Sequence, residues 1–350
     1  MTTEYSLPII NTQNVKNYSA YKKSNNYQNG YFSIYGIRNE RYQKQTLINA
    51  GISQNNIKKY FTGTFSNACH LNVQIHFLRS ITQLFSSQIK DIDFANICKS
   101  IEPTIPDIYN VITIKKQYEI LKFIYPKGNI RIGNTNEANY LINKLCEQKL
   151  EFLKLTNIRL NISNNRKLVY TAGEGYSLST SSANLNKNLD MVIQETLYWK
   201  SEKPNIFQCY YGLPEYLIIE GGVQNYNFDI NNINIKLDYT YTYQVESLII
   251  NVVNHHFINI SRRKDQINND IFILYDDRRV YLIDEGNIKT LLRENGHTIT
   301  AILLKRKSKS NLNNNSRKKL EDIINSNSYK SIDLSNNAKG KIVLVKKKSL

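Results

Sequence analysis

Thr64-Phe65-Ser66-Asn67-Ala68-Cys69-His70-Leu71-Asn72 is a mostly polar stretch that hands over, at its cysteine, to an amphipathic helix. Behind it Leu71, Ile75, Leu78, Thr82 and Phe85 recur at four- and three-residue spacing, which predicts one largely apolar helical face. Cys69 therefore falls in the first turn. Unpaired backbone N–H groups and the positive end of the helix dipole favour thiolate there, and in known cases they move a cysteine pKa from about 8.5 to roughly 3.5–7.5. The same N–H groups suit an oxyanion.

A reactive thiol needs a base, and the chain has five histidines: His70, His76, His255, His256 and His297. Only His255-His256 has suitable surroundings. The segment from Thr240 to Ile260 reads as strand, with Tyr243 and Val245 alternating with Gln244 and Glu246 before an apolar run. A second strand, Ile271-Phe272-Ile273-Leu274-Tyr275, runs straight into Asp276-Asp277-Arg278-Arg279-Val280. Two neighbouring strands thus bring a histidine beside an aspartate, as an oriented imidazole requires. Nucleophile, base and orienter occur in the order Cys, His, Asp.

That order, with its surroundings, resembles the ubiquitin-specific protease family of papain-like deubiquitinases. Asn67-Ala68-Cys69-His70-Leu71-Asn72, with Gln74 after it, is similar to the family's Asn-Thr-Cys-Tyr-Met-Asn box. Asn134 to Leu141 can be laid on its Gln-Gln-Asp-Ala-x-Glu-Phe-Leu box, and Leu213-Pro214-Glu215-Tyr216-Leu217 on its Leu-Pro-x-x-Leu strand. Tyr243-Gln244-Val245, His256-Phe257, Tyr275 to Val280 and Ala301 to Leu304 parallel the histidine box through to the closing strand, so the resemblance spans roughly residues 60 to 305.

The resemblance implies an α+β, papain-like cysteine protease fold with thumb, palm and fingers. It makes Cys69 the nucleophile, His256 the general base and acid, and Asp276 its orienter, with Asp277 as the alternative. His255 takes the place of a family glycine, and His297 lacks both a following aromatic and a strand ending in Asp-Asp. The implied substrate is ubiquitin or a ubiquitin-like conjugate, whose C-terminal glycines enter between Cys69 and His256. No cofactor and no metal are expected, because the Cys-x-x-Cys pairs that hold zinc in the family's fingers are missing.

Two departures bear on activity. Thr64 stands where the family has an oxyanion-holding asparagine, and loss of such a donor costs about two to three decades of rate in other hydrolases. Asn136 and Asn139 fall where acidic residues meet the arginines of the ubiquitin tail, leaving Glu137 as the nearby carboxylate. Amides in place of carboxylates weaken charge-assisted contacts.

The four cysteines, Cys69, Cys98, Cys146 and Cys209, are widely spaced in a chain without a secretory signal core, which points to a reducing, intracellular compartment, cytoplasm or nucleus. Cys98 and Cys146 read as small buried hydrophobes in helices. The lone Gly173-x-Gly175 reads as a flexible loop rather than a phosphate-binding turn. No apolar run approaches the ~18 residues of a membrane span, so no membrane contact is expected. Abundant Asn, Ile, Lys and Tyr fit an AT-rich genome, viral or parasitic.

The net charge of +17 is concentrated at one end. From Lys305 onward thirteen Lys and Arg face three acidic residues, a net of +10, among Ser and Asn. Such a composition suits a mobile tail for polyanion binding or nuclear import, and equally a solubilising extension. The expected organisation is a polar extension over 1–45, a catalytic domain over 46–304 and a basic tail over 305–350. Within the catalytic domain a helical thumb covers about 46–160, and fingers and palm cover about 161–304. Three other classes stay open: a pseudo-protease that binds ubiquitin without cleaving it, a cysteine protease built on Gln208-Cys209, and a basic structural or nucleic-acid-binding protein.

Overall fold

The computed structural model describes residues 69–81, 86–102, 112, 114–124, 139–162, 168–180, 189–200, 206–223, 229–236, 239–253, 256–265, 267–276, 279–293 and 297–311. Thr64, Asn136, His255 and Asp277 lie outside them, as do the polar extension and the chain beyond Asn311. The helices are α1 (Cys69–Leu78), α2 (Ile92–Ile101), α3 (Ile114–Ile124), α4 (Tyr140–Glu147), α5 (Leu189–Leu197) and α6 (Glu285–Arg293). The strands are β1 (Leu155–Ile162), β2 (Leu168–Gly175), β3 (Leu178–Ser179), β4 (Tyr198–Lys200), β5 (Ile206–Gly212) and β6 (Tyr216–Val223). They continue with β7 (Ile233–Lys236), β8 (Tyr239–Val253), β9 (His256–Lys264), β10 (Asp270–Asp276), β11 (Arg279–Leu282) and β12 (Thr298–Asn311). Among the described residues no helix is long and apolar enough to cross a membrane.

The chain forms two compact units that interleave in sequence. The first takes in residues up to Gln148, Gly222–Asn225 and Glu246–Leu303. The second takes in Lys149–Gly221, Tyr226–Val245 and the chain from Leu304. Strands β8 and β12 are long enough to run from one unit into the other.

In the first unit the strand order is β11-β10-β9-β8-β12. Helix α1 packs on β9 and β10 and against α4. All ten of its residues are buried, so the amphipathic expectation is corrected: polar Asn72, Gln74 and His76 are as enclosed as Ile75. The helix ends at Leu78, and Thr82 and Phe85 are outside the described residues. Helix α2 starts where the Asp91 carboxylate accepts from Phe94 N at 3.0 Å, and it buries Phe94, Ile97, Cys98 and Ile101 at helical spacing.

Strand β9 is buried along seven consecutive residues, which requires cover on both faces. Its register sets Ser261 opposite Ile273 and Asn259 opposite Tyr275, so these share a face. Beneath that cover a closed polar network forms among fully buried groups. Asn259 Nδ2 donates to Ser247 Oγ at 2.8 Å and to the Leu248 carbonyl at 3.0 Å, while Ser261 Oγ donates to Asn259 Oδ1 at 2.7 Å. Ser247 and Ser261 hydroxyls lie 3.0 Å apart.

The second unit holds a four-stranded sheet, β2-β1-β5-β4, and the pairings β12-β6-β3 and β7-β8. Leu155–Ile162 is already strand, although the helical pattern extends to residue 160 in sequence. The Gly173-x-Gly175 stretch is strand too, not loop, with Gly173 paired to Asn157 and Gly175 to Leu155. A Cβ at Gly173 would come 2.6 Å from Asn157 Oδ1, so the glycine makes room for a partner's side chain. Leu213 and Pro214 lead into β6, and their carbonyls accept from Arg306 Nη1 and the Tyr243 hydroxyl. Strand β12 continues to Asn311, so Lys305–Lys309 are paired strand and not the start of a mobile tail: Arg306 N donates to the Glu215 carbonyl at 2.8 Å, and Lys309 covers the Tyr239 ring at 3.7 Å.

Asn259→Ala should lower stability by about 2 kcal/mol, because it removes three hydrogen bonds among buried groups and leaves the Leu248 carbonyl without this donor, with only the Ser247–Ser261 contact of the network remaining. Urea unfolding would register this as a lower midpoint at unchanged slope.

Candidate active site

Cys69 opens α1 and is 5% exposed. His256 is the first residue of β9, and Asp276 is the last of β10. Because these strands are antiparallel neighbours, the start of one and the end of the other meet at the same edge of the sheet. The β8–β9 register shifts between Asn251 and Val253, so the pairing of Val253 with His256 follows a bulge, a device that re-aims a neighbouring side chain. Asp276 pairs with Arg279 and closes the β10–β11 hairpin.

Cys69, His256 and Asp276 come together within the first unit. His256 Nε2 lies 2.7 Å from Asp276 Oδ1, with both side chains almost wholly enclosed. The ring also hydrogen-bonds Cys69, and with Nε2 occupied the nitrogen left for the thiol is Nδ1. Burial disfavours the charged ring, but hydrogen bonds and charge from Asp276 and Cys69 outweigh it and hold the His256 pKa well above the ordinary histidine value.

His297 and His76 have other surroundings. His297 is buried, and its Nδ1 meets the Leu291 carbonyl at 2.7 Å, which serves the last turn of α6. His76 is stacked on Tyr275 at 3.6 Å, and burial, Arg79 and Arg263 drive its pKa well below the usual range. Among the cysteines, Cys98 is buried in α2 and its thiol is pushed up to about 12 by burial and Glu102, which makes it inert. Cys209 lies on β5, in the second unit.

Asn139 stands at the N-cap of α4 and makes no side-chain capping bond there. The buried amide of Gln74 does that work from α1. Its Oε1 accepts from Leu141 N at 2.8 Å and its Nε2 donates to the His70 carbonyl at 2.9 Å, which ties the cysteine helix to the start of α4. Sequence reasoning noted Gln74 but not this role, and it passed over Arg263. Asn259, Ser261 and Arg263 alternate with Ile258 and Ile260 along β9, and all five are buried. Among the described residues no group of three or more His, Cys, Asp or Glu is arranged to hold a metal ion.

No family model and no curated protein matches the chain. Among solved structures, the Saccharomyces cerevisiae PAN2 pseudoubiquitin-hydrolase is similar over 68% of this chain and 84% of that one, at 13% identity and TM-score 0.51. The longer Saccharomyces cerevisiae Pan2 pseudoubiquitin hydrolase–RNA exonuclease module with AAGGA RNA gives 13% identity and TM-score 0.49 over 68% of this chain. This chain spans about half of that module, 52% of its length. The SAGA Ubp8/Sgf11/Sus1/Sgf73 DUB module bound to ubiquitin aldehyde gives 12% identity and TM-score 0.45, covering 69% of this chain and 68% of that one. At such identities the likeness is one of fold. The fold is α+β and papain-like, similar to that of the PAN2 pseudoubiquitin-hydrolase.

Asp276→Asn should lower the His256 pKa, since the carboxylate that stabilises the imidazolium is gone. The wild-type ring holds its proton more tightly folded than unfolded, so its contribution to stability is full below the ordinary value of 6.5 and is lost as pH rises through the folded value. In Asp276→Asn that loss should shift to lower pH and shrink. A ring-proton NMR titration of both proteins measures the shift, and an unchanged His256 midpoint would refute the assignment of its cause.

Proposed function

We propose that this protein is a cysteine-dependent hydrolase of the isopeptide or peptide bond after the C-terminal glycine of ubiquitin or a ubiquitin-like protein. The observation that carries this reading is His256, bonded on one side to the Asp276 carboxylate and on the other to Cys69. In the proposed mechanism the Cys69 sulfur, its proton held by His256, attacks the glycine carbonyl. The oxyanion is held by N–H groups at the start of α1, with Thr64 as a further donor. His256 protonates the leaving amine, then draws a proton from water to release the acyl enzyme, while Asp276 keeps the ring oriented and stabilises its charge. Asp277, outside the described residues, is proposed as the alternative orienter.

Asn136 and Asn139 are proposed to meet the substrate tail as neutral acceptors. A basic tail is less well matched by amides than by carboxylates, which favours a ubiquitin-like tail with fewer arginines. The proposed setting is intracellular, in cytoplasm or nucleus, with polyanion or import contacts through the basic residues after Asn311. A second reading, a ubiquitin-binding pseudo-protease, is favoured by Thr64 alone. A ubiquitin probe with a C-terminal electrophile separates the two: covalent labelling marks an enzyme, and reversible binding alone marks a pseudo-protease.

Cys69→Ala should abolish hydrolysis of a ubiquitin C-terminal amide and probe labelling, while Cys209→Ala should leave both intact. His256→Ala should cost several decades of rate and His297→Ala little, provided the fold is retained by circular dichroism. The converse pattern would overturn the assignment.

A chain ending after Asn311 preserves β12 and should keep labelling and hydrolysis. Any nucleic-acid affinity should fall on this truncation, and in the full chain it should weaken steeply with salt through counterion release. A folded but inactive truncation would place the tail in the catalytic unit.

A further inference from the structure

Arg263 is 8% exposed at the far end of β9, and among the described residues no carboxylate pairs with it. A buried guanidinium is a costly way to fill space, since an apolar residue of similar volume is commonly neutral or stabilising at such a site. Its directional contacts supply the reason. Nη2 donates to the His76 carbonyl at 3.0 Å, and Nη1 donates to Ser80 Oγ at 2.7 Å and to the Arg262 carbonyl at 3.2 Å. Ser80 Oγ in turn donates to the His76 carbonyl at 3.4 Å. The guanidinium therefore sits at the C-terminal end of α1, where exposed carbonyls and the negative end of the dipole favour a cation.

The chain geometry gives this contact a mechanical meaning. Cys69 and His76 are seven residues apart in α1, and His256 and Arg263 are seven residues apart in β9. Seven residues of strand advance about 23 Å and seven of helix about 10 Å. The strand outruns the helix, and the Arg263 side chain reaches the helix at one end, as His256 meets Cys69 at the other. Apolar packing along the shared face is non-directional and permits sliding; the forked hydrogen bonds fix the helix along its own axis.

We propose that Arg263 is a positioning residue for the Cys69–His256 pair, clamping the end of the cysteine helix to the strand that begins with His256. This rests on the reading of Cys69 as nucleophile and His256 as base. Steady-state hydrolysis of a ubiquitin C-terminal amide by the full chain tests it in wild type, Arg263→Met, Arg263→Lys and Ser80→Ala. Loss of the clamp should lower kcat about ten- to hundredfold in Arg263→Met, with KM within about twofold, because misplacement of the reacting groups acts on the chemical step. It should also move the alkaline limb of the pH profile to lower pH, because His256 loses part of the Cys69 contact that raises it. Arg263→Lys, which keeps the charge but cannot fork, should be intermediate, and Ser80→Ala should shift both readouts slightly in the same direction. A lower melting temperature in Arg263→Met with kcat and alkaline limb unchanged below it would reduce Arg263 to a structural residue and overturn the proposal. If Arg263→Met does not fold, wild-type values in both Arg263→Lys and Ser80→Ala would overturn it as well. Wild type that neither turns over nor labels would sink the underlying reading along with it.

Discussion

Antiparallel pairing of β9 with β10 is the constraint on which the site depends. Residues more than a dozen positions apart meet at one sheet edge only because the first strand begins where the second ends, and the register decides which side chains face each other. Tyr275 stands opposite Asn259, so Asp276 comes level with Ile258, two residues from His256. A slip of one residue would turn Asp276 to the other face of the sheet and leave His256 without its carboxylate. What prevents the slip is burial. Asn259, Ser261, Ile273 and Tyr275 are all enclosed, and a shifted register would strand the amide and hydroxyls of the polar network. The network thus specifies the register that builds the site.

The cysteine reaches that edge by a different logic. Helix α1 has no solvent face, so its polar residues must find partners inside the protein. Gln74 satisfies this by reaching across to the first turn of α4, and Arg263 donates to the His76 carbonyl near the other end of the helix. Each such bond is directional where apolar packing is not. A helix buried on all sides and anchored by polar contacts along its length presents its first residue in one place, which is what a nucleophile needs.

Much of this was legible in the sequence. The strand ending in Asp276, the histidine preceding it and the cysteine at a helix start are local patterns, and each keeps its meaning in the fold. The sites of failure share a physical cause. Amphipathic periodicity assumes one wet face, so α1 read as a helix with a single apolar face. Gly173-x-Gly175 read as a loop because glycine usually breaks strands, whereas here a glycine lets the Asn157 side chain of the neighbouring strand approach. The basic residues after Leu304 read as tail because charge suggests solvent, yet Lys305–Lys309 lie in strand β12 and the Lys309 ammonium sits over the Tyr239 ring. In every case a tertiary partner, invisible in one chain's local pattern, overrode the local rule.

The two histidines on this sheet show how little of the electrostatics belongs to residue type. His76 and His256 are both enclosed, and burial alone drives either ring toward neutrality. His76 is buried with Arg79 and Arg263 for neighbours, so burial and charge act in the same direction and hold its pKa well below the ordinary value. His256 has the Asp276 carboxylate and the Cys69 sulfur, so charge opposes burial and prevails. The distinction follows from which end of α1 each ring is near: the arginines gather where the helix carbonyls are exposed, and the carboxylate lies with the thiol at the N-terminal end. A helix placed with its dipole along the sheet therefore separates the two charge environments, leaving the chargeable imidazole beside the cysteine and an inert one at the far end.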